Sequence, residues 1–174
     1  MELIQEQHER EVGDAFITWL NTRGGTSFVF CRRGDEGPDL IYESDGKEIG
    51  VEVVGAYYDK SYATFQWQKV RQIPNKPKMW TGIDFDDSLR QNVEERIAEK
   101  CIKGYGSNCL LLIDVHPGLT PMPEMQELLY GVAFPSSVPF VGIYVAGGFP
   151  TAPHTHGGYY AWQLWPRDPV GGRR

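Results

Sequence analysis

Near the N-terminus, Val12, Ala15, Phe16, Trp19 and Leu20 recur at i, i+3, i+4, i+7 and i+8, the spacing of an amphipathic helix, and Gly24-Gly25 stops it. Ser27-Phe28-Val29-Phe30-Cys31 then reads as a first strand. Beyond Pro38 the apolar period shortens. Two apolar runs, one around Ile41 and one from Ile49 to Val54, flank Asp45-Gly46. That dipeptide between such runs specifies a two-residue type I′ hairpin, because both central residues need positive φ. The turn sets a register in which Ser44 faces Lys47, Glu43 faces Glu48, Ile41 faces Gly50 and Asp39 faces Glu52.

Further on, Leu89, Val93, Ile97 and Cys101 recur every fourth residue and predict a helix from Asp87 to Lys103, with Asp86 or Asp87 as its cap and Gly104 and Gly106 as its end. Residues 108–115 form a nearly continuous apolar run, the signature of a strand buried on both faces. A helix over Met122 to Leu129, a buried strand over 139–145 and an aromatic, alternating strand over 159–165, suited to a sheet edge, complete the pattern. Between hairpin and helix, Asp59 or Ser61 caps a segment running from Ala63 to Val70, which Pro74-Asn75-Lys76-Pro77-Lys78 breaks. An antiparallel hairpin followed by a βαβ crossover predicts an α/β fold: a central mixed sheet flanked by helices on both faces.

At 174 residues the chain is of single-domain size, with residues 1–166 as the domain and 167–174 as a flexible tail. The polar, helical N-terminus is unlike a signal peptide, and no apolar run reaches membrane-spanning length, so a soluble, cytoplasmic protein with no membrane partner is expected. Cys31, Cys101 and Cys109 lack paired spacing and read as reduced small hydrophobes. The net charge of −6 argues against a broad basic surface for nucleic acid. Positive charge is nevertheless concentrated at Arg32-Arg33, Lys76-Pro77-Lys78 and Arg173-Arg174, each of which a solvated loop also explains.

The hairpin carries the candidate chemistry. Directly opposed residues have Cβ atoms only about 4.5–5.5 Å apart, so like charges at Asp39 and Glu52 repel. Glu52 is also set in an apolar run, where an unpaired carboxylate is expensive to ionise. Mg²⁺, a hard ion that takes one or two carboxylates and is completed by water and phosphate oxygens, would offset both penalties. The pattern equally fits a plain hairpin whose acids, Asp39, Glu43, Glu48 and Glu52, face water.

A Pro38-Asp39 pair opening one strand, followed by an acid among hydrophobic residues on the next, resembles the core motif of the PD-(D/E)XK nuclease superfamily, also called restriction-endonuclease-like. The order of helix, strand, hairpin, helix and strand is similar to that superfamily's over about the first 145 residues. The resemblance implies a restriction-endonuclease-like fold and metal-dependent hydrolysis of phosphodiester bonds, with Asp39 and Glu52 as ligands of Mg²⁺ or Mn²⁺. It also implies a supporting glutamate from the first helix, for which Glu9 and Glu11 are the candidates. Nucleic acid is the implied partner, DNA ahead of RNA, and a homodimer is compatible with it. One departure stands out. The superfamily's usual lysine two residues after the second acid is Val54 in this chain. Divergent members recruit a replacement from elsewhere or lose activity. The replacement candidates are Lys60 and Lys69, with Gln66 and Gln68 beside them and Lys100 farther off. A catalytically inactive domain of this fold that binds nucleic acid or a protein is the alternative.

One further constellation has metal-ligand character. His154 and His156 stand two apart in a Gly-rich loop, and His116 follows the buried strand at Val115; a His-X-His pair binds zinc when a carboxylate or a third histidine joins it. The sequence offers no clear third ligand, and loop histidines beside Gly and Pro are usually turn residues.

Overall fold

The computed structural model describes residues 2–56, 85–116, 121–149 and 158–167. The elements are α1 (Glu2–Gly24), β1 (Val29–Arg33), β2 (Leu40–Ser44), β3 (Lys47–Ala56), α2 (Phe85–Cys101), β4 (Cys109–Val115), α3 (Met122–Tyr130), β5 (Gly142–Gly148) and β6 (Tyr159–Trp165). The strands form one sheet in sequential order from β1 to β6. Pairing is antiparallel between β1, β2 and β3, parallel from β3 through β4 to β5, and antiparallel between β5 and β6. The mixed sheet expected from the pattern is therefore present, with the aromatic strand at one edge.

The hairpin register follows from the turn. Asp45 and Gly46 take φ of 51° and 75°, and the ladder runs Ser44↔Lys47, Glu43↔Glu48, Tyr42↔Ile49, Ile41↔Gly50 and Leu40↔Val51. The ladder ends at Leu40↔Val51, one step short of Asp39 and Glu52.

Alternation along the strands divides the core into two layers. On one face, Phe16 and Ile17 of α1 pack with Leu40, Tyr42, Val51, Val53, Leu110 and Leu112. On the other, Leu89, Val93 and Ile97 of α2 and Met125 and Leu129 of α3 pack with Leu111, Ile113, Ile143 and Val145. Buried on both sides, β4 reads as an apolar run for that reason. Two glycines permit close approach: a Cβ on Gly13 would lie 2.3 Å from Leu40 Cδ1, and one on Gly50 would lie 2.3 Å from Pro38 Cγ. The first lets α1 settle onto β2; the second seats Pro38 on β3 and so fixes where Asp39 begins.

Some local expectations change. The first strand begins at Val29 rather than Ser27, and its pairing with β2 slips between Phe30 and Arg32, a bulge that leaves Cys31 exposed rather than packed as a small hydrophobe. Arg32 and Arg33 belong to that strand and not to a solvated loop. Arg32 makes two hydrogen bonds to Glu48 and Arg33 reaches Glu9. The second helix ends two residues early, at Cys101, and Ile102 is exposed. Arg167, assigned to the tail on sequence, donates to the Val132 carbonyl and lies over the Tyr130 and Phe134 rings. Among the described residues, no helix is long and apolar enough to cross a membrane.

Candidate functional site

Parallel strands β3 and β4 end together at Ala56 and Val115. Beside their carboxyl-terminal halves, the start of α1 and the end of α2 leave a cleft of about 500 Å³, to which His8, Glu9, Asp39, Val54, Lys100 and Asp114 contribute. Clefts at the carboxyl ends of strands are the usual ligand sites of open α/β sheets.

Asp39 lies at the entrance to β2, and its Oδ2 accepts a 2.8 Å hydrogen bond from the backbone N–H of Val53. Burial first, and then the charge of Glu52, raise its pKa to about 6, against the opposing pull of that hydrogen bond. Glu52 points to the α2 side of β3 and is only 4% exposed. Its Oε1 accepts hydrogen bonds from Lys100 Nζ at 2.5 Å and from the Tyr105 hydroxyl at 3.1 Å. Its Oε2 is buried with no hydrogen-bond partner among the described residues. Lys100 lines the cleft and Glu52 does not, so the ammonium sits between the carboxylate and the open space. Burial, followed by the charge of Glu52, holds the Tyr105 phenol above its ordinary pKa and keeps it a hydrogen-bond donor.

Of the two helix acids, Glu9 is the one turned inward. It is buried at the cleft, where it accepts from Arg33 Nη2 at 2.7 Å and from Gln5 Nε2 at 2.9 Å, whereas Glu11 is exposed and bonded to Gln7. Val54, in the place of the motif lysine, faces the same side as Glu52 and lines the cleft. Of the candidates for its replacement, Lys100 reaches Glu52; Lys60, Lys69, Gln66 and Gln68 lie outside the described residues.

Glu9 and Asp39 thus line the cleft while Glu52 lies outside its lining, and the three acids do not all bring oxygens within 4.8 Å of one another. Among the described residues, the one group of three acidic, histidine or cysteine side chains whose donor atoms all lie within 4.8 Å of one another is His8, Asp114 and His116. Asp114 is a buried acid on the α1 side of β4. Its Oδ2 lies 3.2 Å from His8 Nε2 and 3.4 Å from His116 Nε2. Burial pushes the Asp114 pKa up, but the bonds and charges of the two imidazoles outweigh it and leave the carboxyl below its ordinary range. The hydrogen bond to Asp114 raises the pKa of His8 against the opposing effect of burial. His154 and His156 lie outside the described residues, so the His-X-His constellation has no described geometry.

Compared with protein-family models, curated proteins and solved structures, the chain matches none of them. The functional reading therefore rests on the residues of the cleft. The hairpin and the first helix point to Asp39, Glu52 and Glu9 as candidates in the sequence. They do not point to Tyr105, His8 or Asp114. The available signal for Asp114 was an acid inside the otherwise apolar run of β4, the same signal that singled out Glu52 in β3.

Proposed function

We propose that this chain is a divergent PD-(D/E)XK-like domain, of restriction-endonuclease-like fold, that hydrolyses phosphodiester bonds of nucleic acid, DNA ahead of RNA, with a divalent metal. The observation that carries the reading is the half-buried Asp39 lining the cleft, with the buried Glu52 beside it carrying the Lys100 ammonium. Asp39 and Glu52 would hold Mg²⁺ or Mn²⁺, Glu52 through its unpartnered Oε2, with Glu9 supporting through water. When bound, such an ion supplies Lewis acidity at the phosphate and lowers the pKa of a coordinated water. Lys100 takes the part left vacant by Val54: carried on α2 instead of β3, its Nζ can balance charge developing on a phosphoryl oxygen. Arg96 and Lys103 line the same cleft and offer positive charge to a phosphate backbone despite the acidic total.

A second reading has its own observation. Lys100 already neutralises Glu52 and shields it from the cleft, as expected of an inactive domain that binds nucleic acid or a protein. Cleavage of plasmid and of single- and double-stranded oligonucleotides, with Mg²⁺ or Mn²⁺ and beside a melting curve in each metal, separates the two. The nuclease reading expects metal-dependent cleavage that falls at least 100-fold in Asp39→Asn, and a metal-induced rise in Tm that this variant lacks. No cleavage and no metal-induced shift in the wild type would leave the inactive-domain reading standing.

A further inference from the structure

We propose that His8, Asp114 and His116 form a separate metal centre that takes a borderline divalent ion of the Zn²⁺ or Co²⁺ kind. The donors are two imidazole nitrogens and one carboxylate oxygen. Such a set suits Zn²⁺, Co²⁺ and similar ions, whereas Mg²⁺ prefers oxygen alone. Spacing agrees with the chemistry. Bonds of about 2.0–2.1 Å to a tetrahedral ion put neighbouring donors about 3.3–3.4 Å apart. The two distances to Asp114 Oδ2, 3.2 and 3.4 Å, already lie close to that edge.

The scaffold presets the group. Asp114 and His116 follow one another at the end of β4, while His8 comes from α1, 106 residues away from Asp114 in the chain. The two imidazoles lie nearly parallel, 21° apart with centroids separated by 6.3 Å, and both present Nε2 to the same oxygen. The two imidazoles already compensate the buried acid, and a bound cation would be shared among the same three groups. The Tyr159 hydroxyl, buried and without a hydrogen-bond partner among the described residues, feels the Asp114 charge from the β6 side. Three protein ligands leave a further position for water or substrate, the pattern of catalytic zinc sites. His8 and Asp114 line the same cleft as Asp39, so a group bound there would share its space.

The centre is independent of whether Asp39 and Glu52 hold Mg²⁺, and the test keeps the two apart. Chelator-treated full-length chain is titrated with Zn²⁺ by calorimetry and with Co²⁺ by visible absorption, with circular dichroism verifying the fold of each variant. One ion per chain is expected, with d–d bands in the Co²⁺ form and affinity lowered about 100-fold in folded His8→Gln and His116→Gln. The double variant His154→Gln/His156→Gln should bind as the wild type does. Zn²⁺ binding unchanged in His116→Gln overturns the proposal, as does binding lost only in His154→Gln/His156→Gln or absent from the folded wild type.

Discussion

Asp39→Asn should make this protein more stable in the absence of metal. The raised pKa of Asp39, about 6 against an ordinary 3.8, means that the native state binds this proton more tightly than the unfolded chain does. The contribution of Asp39 to stability is therefore highest below pH 3.8, falls as the pH rises towards 6, and carries the full penalty of the ionised carboxylate above that. At 1.36 kcal/mol per pKa unit the gap corresponds to about 3 kcal/mol, and partial exposure to solvent reduces this to about 2 kcal/mol. Asparagine is nearly isosteric, can still accept the Val53 N–H through its side-chain oxygen, and removes both the charge and its repulsion with Glu52. Urea unfolding in EDTA should find the variant about 2 kcal/mol more stable at pH 8, a rise of roughly 4–8 °C in Tm for a chain of this size, with a gap of a few tenths at pH 4. Comparing variant with wild type at each pH cancels other titrating groups, His8 among them. A variant less stable than wild type at pH 8, or a gap that does not change with pH, would refute the burial and repulsion assigned to Asp39.

Lys100→Met removes the ammonium from Glu52 and strands a buried carboxylate, at about 3–5 kcal/mol by denaturant unfolding at pH 7, and most of the loss should return in Lys100→Met/Glu52→Gln. Gly50→Ala drives a methyl group into the Pro38 ring and should destabilise by about 1–3 kcal/mol in the same assay, with the metal-induced rise in Tm reduced because Asp39 is displaced.

The hairpin was legible because its information is local. Asp45-Gly46 sets both the turn and the register, so every pair down to Leu40 and Val51 follows from counting. The two-layer sheet was legible for a similar reason, since apolar period distinguishes strands buried on both faces from amphipathic helices. Partners brought together by the tertiary fold were not. Lys100 is 48 residues from Glu52, and on sequence it reads as one more solvent-facing lysine of an amphipathic helix. His8 sits in a polar stretch of α1 with no pattern tying it to β4. The bulge at Cys31 is also invisible locally. Beyond it, Arg32 and Arg33 pair regularly with Ile41 and Leu40, and strand alternation sends them to different acids, Glu48 on β3 and Glu9 on α1.

The lysine on Glu52 has a consequence for how any ion would arrive. A cation reaching that carboxylate competes with one already attached to the same chain, and a tethered group acts at an effective concentration of about millimolar or more. Occupancy would then follow the supply of free ion over a threshold set by the tether, while the fold keeps an internal counter-ion when ions are scarce. Displacement would also release the ammonium beside the newly bound ion, so that loading the site and freeing a positive charge for an incoming phosphate would be one event.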